Sequence, residues 1–147
     1  MYKFRSMKVN RYIVFSFLFT GLIVGACSKG GEVTDDPHAS DFNDQTVPVV
    51  DMNTPVQDQV FASGDTIKIE GKITDNSLYR GSIRITDDAN GAVMKEQLYE
   101  IHGYQLYNFS VQYKTVVQAK SIYTVTVQFE DHGLNAGIKT VKVKVNP

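Results

Sequence analysis

Two short segments each place an imidazole and a carboxylate directly before a glycine: Glu100-Ile101-His102-Gly103 and Glu130-Asp131-His132-Gly133. Imidazole and carboxylate are the donors that Zn²⁺ and Cu²⁺ accept. Each His-Gly pair ends a run of alternating residues. If both runs open at one pole of a sandwich, His102 and His132 converge with up to three carboxylates, Glu100, Glu130 and Asp131. An alternating meander favours this, because its fourth and sixth strands run in the same direction. The same residues also read as plain hairpin endings beside a glycine. Asp87, Asp88 and Asn90 bring three oxygens into one loop, yet lack the spacing and final Glu of an EF-hand. The pair Asn90-Gly91 explains them better as a tight hairpin turn, whose centre needs positive φ. Tyr99 and Tyr104 flank His102-Gly103, and exposed tyrosines there can stack on sugar rings or anchor a protein interface.

Signatures of catalysis are scarce. The chain has no G-x-S-x-G, no H-E-x-x-H and no Gly-rich phosphate loop, and its single cysteine has no histidine partner nearby. Binding without catalysis is the expectation.

Cys27 has chemistry of its own. Lys3, Arg5, Lys8 and Arg11 form a cationic start, and an apolar stretch runs from Ile13 to Val24. At twelve residues it is shorter than the roughly 20 a membrane span needs, and it suits the apolar core of a secretory signal. Val24-Gly25-Ala26-Cys27 follows and resembles the lipobox of bacterial lipoproteins. The thiol takes up diacylglycerol as a thioether, and the small residues before it admit the signal peptidase. The resemblance implies a signal peptide over 1–26 and a lipid on Cys27. It also gives a role to a cysteine that would otherwise be an odd leftover in a secreted chain. Four of the 15 basic residues precede Cys27 and none of the 16 acidic ones does, so the remainder carries a formal −5. Such a balance argues against nucleic acid and against polybasic membrane attachment.

The elements that would position these residues begin after a tether. Residues 27–46 carry five carboxylates against Lys29, with Val33 and Phe42 as their only sizeable apolar side chains. A segment so composed buries too little to offset its ordering entropy and reads as a flexible stalk, in which His38 is a solvated linker residue. From 47 to 147 the pattern has period two. Ile67, Ile69 and Ile73 alternate with Lys68, Glu70 and Lys72, and Tyr123, Val125, Val127 and Phe129 alternate with Thr124, Thr126, Gln128 and Glu130. Tyr107 and Tyr113 fall on the buried face of their strand, while Tyr99 and Tyr104 are expected to be exposed. Strands are placed near 47–52, 65–74, 80–87, 92–101, 104–114, 120–130 and 138–146. Seven strands in about 100 residues, without a helical period of any length, specify an all-β, immunoglobulin-like sandwich of antiparallel strands.

The segment Ser121–Val145 resembles the final two strands of bacterial Ig-like domains, with a tyrosine opening one strand and Asp and Gly marking the hairpin. More closely, residues 47–146 are similar to small lipoproteins of the domain of unknown function 4625 family, single Ig-like domains behind a lipobox in Gram-negative bacteria. The resemblance implies the fold and a lipid-anchored place in the cell envelope, on the periplasmic or the outer face. It brings no catalytic residues. It sets Tyr123 at the position of a tyrosine corner, its hydroxyl bonding backbone. Lys139, Lys142 and Lys144 form a basic stripe suited to protecting an edge strand. The expected partners are the membrane, through lipid, and an envelope protein or glycan. Replacing Cys27 by Ala removes the only thiol and is expected to move the protein from the membrane fraction to the soluble one. Unchanged fractionation would contradict the anchor.

Overall fold

The computed structural model describes residues 43–147, so Cys27, His38 and the signal segment lie outside the described residues. Eight strands follow one another: β1 (Val49–Thr54), β2 (Val60–Ala62), β3 (Thr66–Thr74), β4 (Leu78–Asp87), β5 (Val93–Glu100), β6 (Leu106–Lys114), β7 (Ser121–Asp131) and β8 (Ala136–Asn146). They form a three-stranded sheet in the order β1-β3-β6 and a five-stranded sheet in the order β2-β8-β7-β4-β5. This is an immunoglobulin-like β-sandwich. The seven expected strands are present, with ends shifted by a few residues. The addition is β2, which pairs parallel with β8 from Val60 to Ala62. Three residues are too few for period two to be seen. Among the described residues no helix is long and apolar enough to cross a membrane.

Alternation decides what is buried. The inward row of β3 (Ile67, Ile69, Ile73) faces that of β7 (Tyr123, Val125, Val127, Phe129), with Ile83 and Ile85 of β4 and Val141, Val143 and Val145 of β8 closing the core. Each such side chain contributes about 1.5–3 kcal/mol when taken out of water. Tyr107 and Tyr113 correct the expectation of full burial. Both are half-buried at the rim, because β6 is an edge strand and Phe109 and Val111 occupy the centre. Tyr123 is buried as expected, but the partner found for its hydroxyl is the Tyr113 side chain, with the two rings 6.2 Å apart. Burial pushes its phenol above the ordinary tyrosine value.

The basic stripe also needs correction. Lys142 and Lys144 project from the outer face and pair with Asp88 and Asp58, whereas Lys139 has the opposite parity on the strand. β8 is not a free edge along its whole length either, since β2 covers its end. The lysines act there as ion-pair partners on the sheet face.

One close approach fixes how β4 lies on β7. Gly81 sits opposite Phe129 on one side and Tyr99 on the other. A Cβ there would come within 2.1 Å of the Phe129 ring. The missing side chain is the slot that ring occupies, and Tyr99 packs onto it from β5 at 5.5 Å. Gly81→Ala is therefore expected to cost about 1–3 kcal/mol by overpacking. Its cost should shrink in a Phe129→Leu background, as a double-mutant cycle of thermal unfolding would measure. An additive cycle would contradict the clash.

Candidate metal centre

β5 and β7 end at the same pole, and the turns that follow them bring the two imidazoles into contact. After Glu100 the chain turns through His102 and Gly103, the latter at φ 73°. The turn is pinned by Ile101 N–H to the Tyr79 carbonyl and Gly103 N–H to the Leu78 carbonyl, both 2.9 Å. After Asp131 the chain turns through His132, Gly133 and Leu134, the last at φ 62°. Here the His132 backbone N–H donates to the Ser77 carbonyl at 3.1 Å. Strand β4 begins between the two turns and holds both.

His102 Nδ1 lies 3.3 Å from His132 Nε2. The ring of Tyr79 packs against both imidazoles, at 4.6 Å from His102 and 5.0 Å from His132. On the far side of His132, Nδ1 lies 3.3 Å from the Ser77 carbonyl and 3.0 Å from the Ser77 hydroxyl. On the far side of His102, Nε2 lies 3.5 Å from Glu100. His132 and Ser77 are buried, each 7 % exposed, while His102 is open to solvent.

These contacts bear on the tautomers. The Ser77 carbonyl and the Glu100 carboxylate only accept and favour N–H on the nitrogens facing them, whereas the nearer Ser77 hydroxyl can donate to His132 Nδ1. With N–H on His132 Nδ1 and His102 Nε2, the inner nitrogens carry lone pairs 3.3 Å apart that a metal ion could bridge; with the Ser77 hydroxyl donating, His132 Nε2–H donates to His102 Nδ1 instead. Two ligands about 2.0–2.1 Å from a tetrahedral Zn²⁺ stand about 3.3–3.4 Å apart, which is the spacing seen. Around such an ion the Ser77 carbonyl and Glu100 would orient the two rings.

Of the five expected ligands, only the two histidines converge. Glu100 reaches the outer nitrogen of His102 and orients it. Glu130 has the wrong parity. It projects from the outer face of the five-stranded sheet and pairs with Arg80 at 2.8 Å. Asp131 is fully buried on the inward row of β7 and accepts from the backbone N–H and side-chain amide of Asn135, both at 2.8 Å. Two imidazoles and no carboxylate form the inner set among the described residues.

The tyrosines divide as well. Tyr104 is 56 % exposed, as expected. Tyr99 is not exposed: it packs against the core, edge-on to Tyr107 at 5.6 Å, because its parity on β5 is that of Ile101 and opposite to the exposed Leu98. No exposed pair of tyrosines forms. The oxygens of Asp87 and Asn90 are taken by the backbone of their own turn, at Ala89 and Ala92, and Asp88 holds Thr124 and Lys142. The hairpin reading stands there.

Sequence reasoning missed a second cluster beside the first. Asp44, Asp75 and Asp131 bring carboxylate oxygens within 4.8 Å of one another. The segment ahead of β1 is held at this pole, since the Asp44 carbonyl accepts from Asn135 Nδ2 at 2.8 Å. The domain's contacts thus begin a few residues ahead of 47. Asp75 Oδ1 accepts from Ser77 N–H, while Oδ2 is buried with no partner among the described residues. Burial, with the charges of Asp131 and Asp44 adding to it, holds the Asp75 carboxyl above its ordinary value. The signal was present in Thr74-Asp75-Asn76, but a turn explained it locally.

Compared with known proteins, the chain matches no family model and no curated protein. Solved structures share parts of the architecture. An engineered protein superposes with a TM-score of 0.49 at 16 % identity over 68 % of this chain, which spans about 20 % of that protein. The fibronectin(III)-like modules of Clostridium thermocellum CbhA give 0.43 at 17 %, covering 67 % of this chain and 97 % of that one. CopC from Methylosinus trichosporium OB3b gives 0.42 at 17 %, over 68 % and 94 %. At these identities and superpositions nothing that those proteins bind transfers to this chain.

Asp75 generates a prediction. A carboxyl whose folded pKa lies above its unfolded one favours the fold when protonated and opposes it as pH rises through the folded value. Asp75→Asn keeps an oxygen for Ser77 N–H and removes the charge, so it should raise the melting temperature at pH 7. The gain should shrink as pH falls through the wild-type carboxyl's titration. A variant that melts lower than wild type at pH 7 would contradict this reading.

Proposed function

We propose that this chain is a lipid-anchored binding module held outside the cytoplasm at an envelope membrane, and that its His102–His132 pole takes Zn²⁺ or Cu²⁺. The observation that carries the metal reading is the 3.3 Å separation of two imidazole nitrogens, the spacing of two ligands on a tetrahedral Zn²⁺. The lipobox-like Val24-Gly25-Ala26-Cys27 supports the anchor. Catalysis is no part of the proposal. Among the described residues the serine beside an imidazole is Ser77, buried beneath His132.

The ion would be held by His102 Nδ1 and His132 Nε2. His132 is the fixed half, locked between Ser77 and Tyr79, and His102 is the accessible half. With two protein donors the remaining positions face solvent, so the site suits capture or presentation of an ion more than permanent structural closure, which takes four protein ligands.

Thermal unfolding of the soluble chain, with the signal segment removed and Cys27→Ala, tests the metal reading. Zn²⁺ or Cu²⁺ at about 100 times its dissociation constant adds roughly 2.7 kcal/mol, which should raise the midpoint by roughly 10 °C or more over chelator. Any shift with Ca²⁺ or Mg²⁺, which prefer oxygen donors, should survive His102→Ala. His102→Ala, at the solvent-open position, should abolish the Zn²⁺ or Cu²⁺ shift while leaving the chelator midpoint within a few degrees. No shift with either transition metal would contradict the site.

A further inference from the structure

The outer face of the five-stranded sheet carries a trough, far in parity from the core and outside the histidine pole. Pairing across β5, β4, β7 and β8 sets its rows. Leu98 lies opposite Ser82, Ser82 opposite Gln128, and Gln128 opposite Ile138. One row toward the pole lie Arg80 and Glu130, and one row away lie Glu96, Arg84 and Thr126. Ser82 and Gln128 are half-buried, whereas Leu98 is 67 % and Ile138 59 % exposed. The depression therefore has a low polar floor with Leu98 raised at its β5 side, and Ile138 lies beyond it on β8. The open depression over Ser82 and Gln128 measures about 320 Å³, at the low end of the roughly 300–1,000 Å³ typical of small-molecule sites. A second of about 170 Å³ shares Ser82, Arg84 and Gln128 with it and extends to Thr86 and Thr126.

Its chemistry is specific in sign. Arg80 pairs with Glu130 and Arg84 with Glu96, so each guanidinium is neutralised within the trough wall. Arg80 is held further by the Tyr79 ring, 5.1 Å below its guanidinium carbon. A charged ligand finds no unbalanced partner here. A neutral ligand with alternating donors and acceptors finds guanidinium N–H, carboxylate oxygen, an amide and hydroxyls, with Leu98 for its C–H surface. Saccharide rings have that character: equatorial hydroxyls to be bridged by planar side chains, and an apolar face between them. We propose that the trough around Ser82 and Gln128 binds a neutral oligosaccharide lying along β4. The sugar site thus falls on the sheet face, apart from Tyr104. It is independent of the metal reading.

The test is binding of the soluble full-length mature chain, Cys27→Ala, to a panel of neutral hexasaccharides: cello-, xylo-, malto-, laminari- and chitohexaose, read by calorimetry. Binding of at least one with a dissociation constant at or below the millimolar range is expected. Gln128→Ala should weaken it about tenfold or more, and Ser82→Trp, which fills the floor from a solvent-facing position, should abolish it. Both variants should keep the wild-type circular dichroism spectrum and metal response, and His102→Ala should keep wild-type sugar binding. Absence of binding across the panel would overturn the proposal. So would binding that survives Ser82→Trp, or binding lost in Tyr104→Ala and retained in Gln128→Ala, which would return the sugar to the histidine pole.

Discussion

Strand β7 is the constraint on which the remaining structure depends. It is hydrogen-bonded on both sides, to β4 and to β8, and its inward residues from Tyr123 to Asp131 are buried without a break. A one-residue slip of this strand would exchange the row Tyr123, Val125, Val127, Phe129 and Asp131 for Thr124, Thr126, Gln128 and Glu130, which cannot fill a core. The register that hides the first row also presents the second, so the core and the polar outer face are one decision. Gly81 sharpens it, because only the glycine admits the Phe129 ring at that register.

The same register sets the pole. β7 ends with Asp131 buried and capping its own turn through Asn135, which delivers His132 onto Ser77 at the start of β4. β5, paired to the other side of β4, ends one turn later in His102. Two imidazoles thus meet because β4 separates their parent strands by a single strand's width on each side. The histidine pair costs the fold little, since one imidazole rests on the core's rim and the other in solvent. The charge is less comfortable nearby, where Asp75 shares space with Asp131 and Asp44 and leaves one oxygen unanswered among the described residues.

Much of this was legible from residue order. Period-two runs located seven strands, and the alternating direction of a meander favoured Glu100-Ile101-His102 and Glu130-Asp131-His132 ending at one pole, beside a plain hairpin reading of the same residues. What parity could have refined was overlooked: Glu130 had to point away from Asp131, and Tyr99 had to share a face with Ile101. Other features were beyond local pattern. β2 is too short to show a period, and Asp44 meets Asp75 and Asp131 only after the sandwich closes. The half-burial of Tyr107 and Tyr113 follows from β6 lying at an edge, which strand order in the sheet decides and sequence order does not.

The proposed metal site asks for two inner lone pairs facing each other, and the imidazole tautomers report it directly. In metal-free, ¹⁵N-labelled protein at about pH 8, above the ordinary imidazole titration, long-range ¹H–¹⁵N correlation assigns the protonated nitrogen of each ring. The account predicts N–H at Nδ1 of His132 and at Nε2 of His102, with added Zn²⁺ shifting the two inner nitrogens. A proton on His132 Nε2, donated to His102 Nδ1 and undisturbed by Zn²⁺, would show a plain imidazole hydrogen bond and contradict the account.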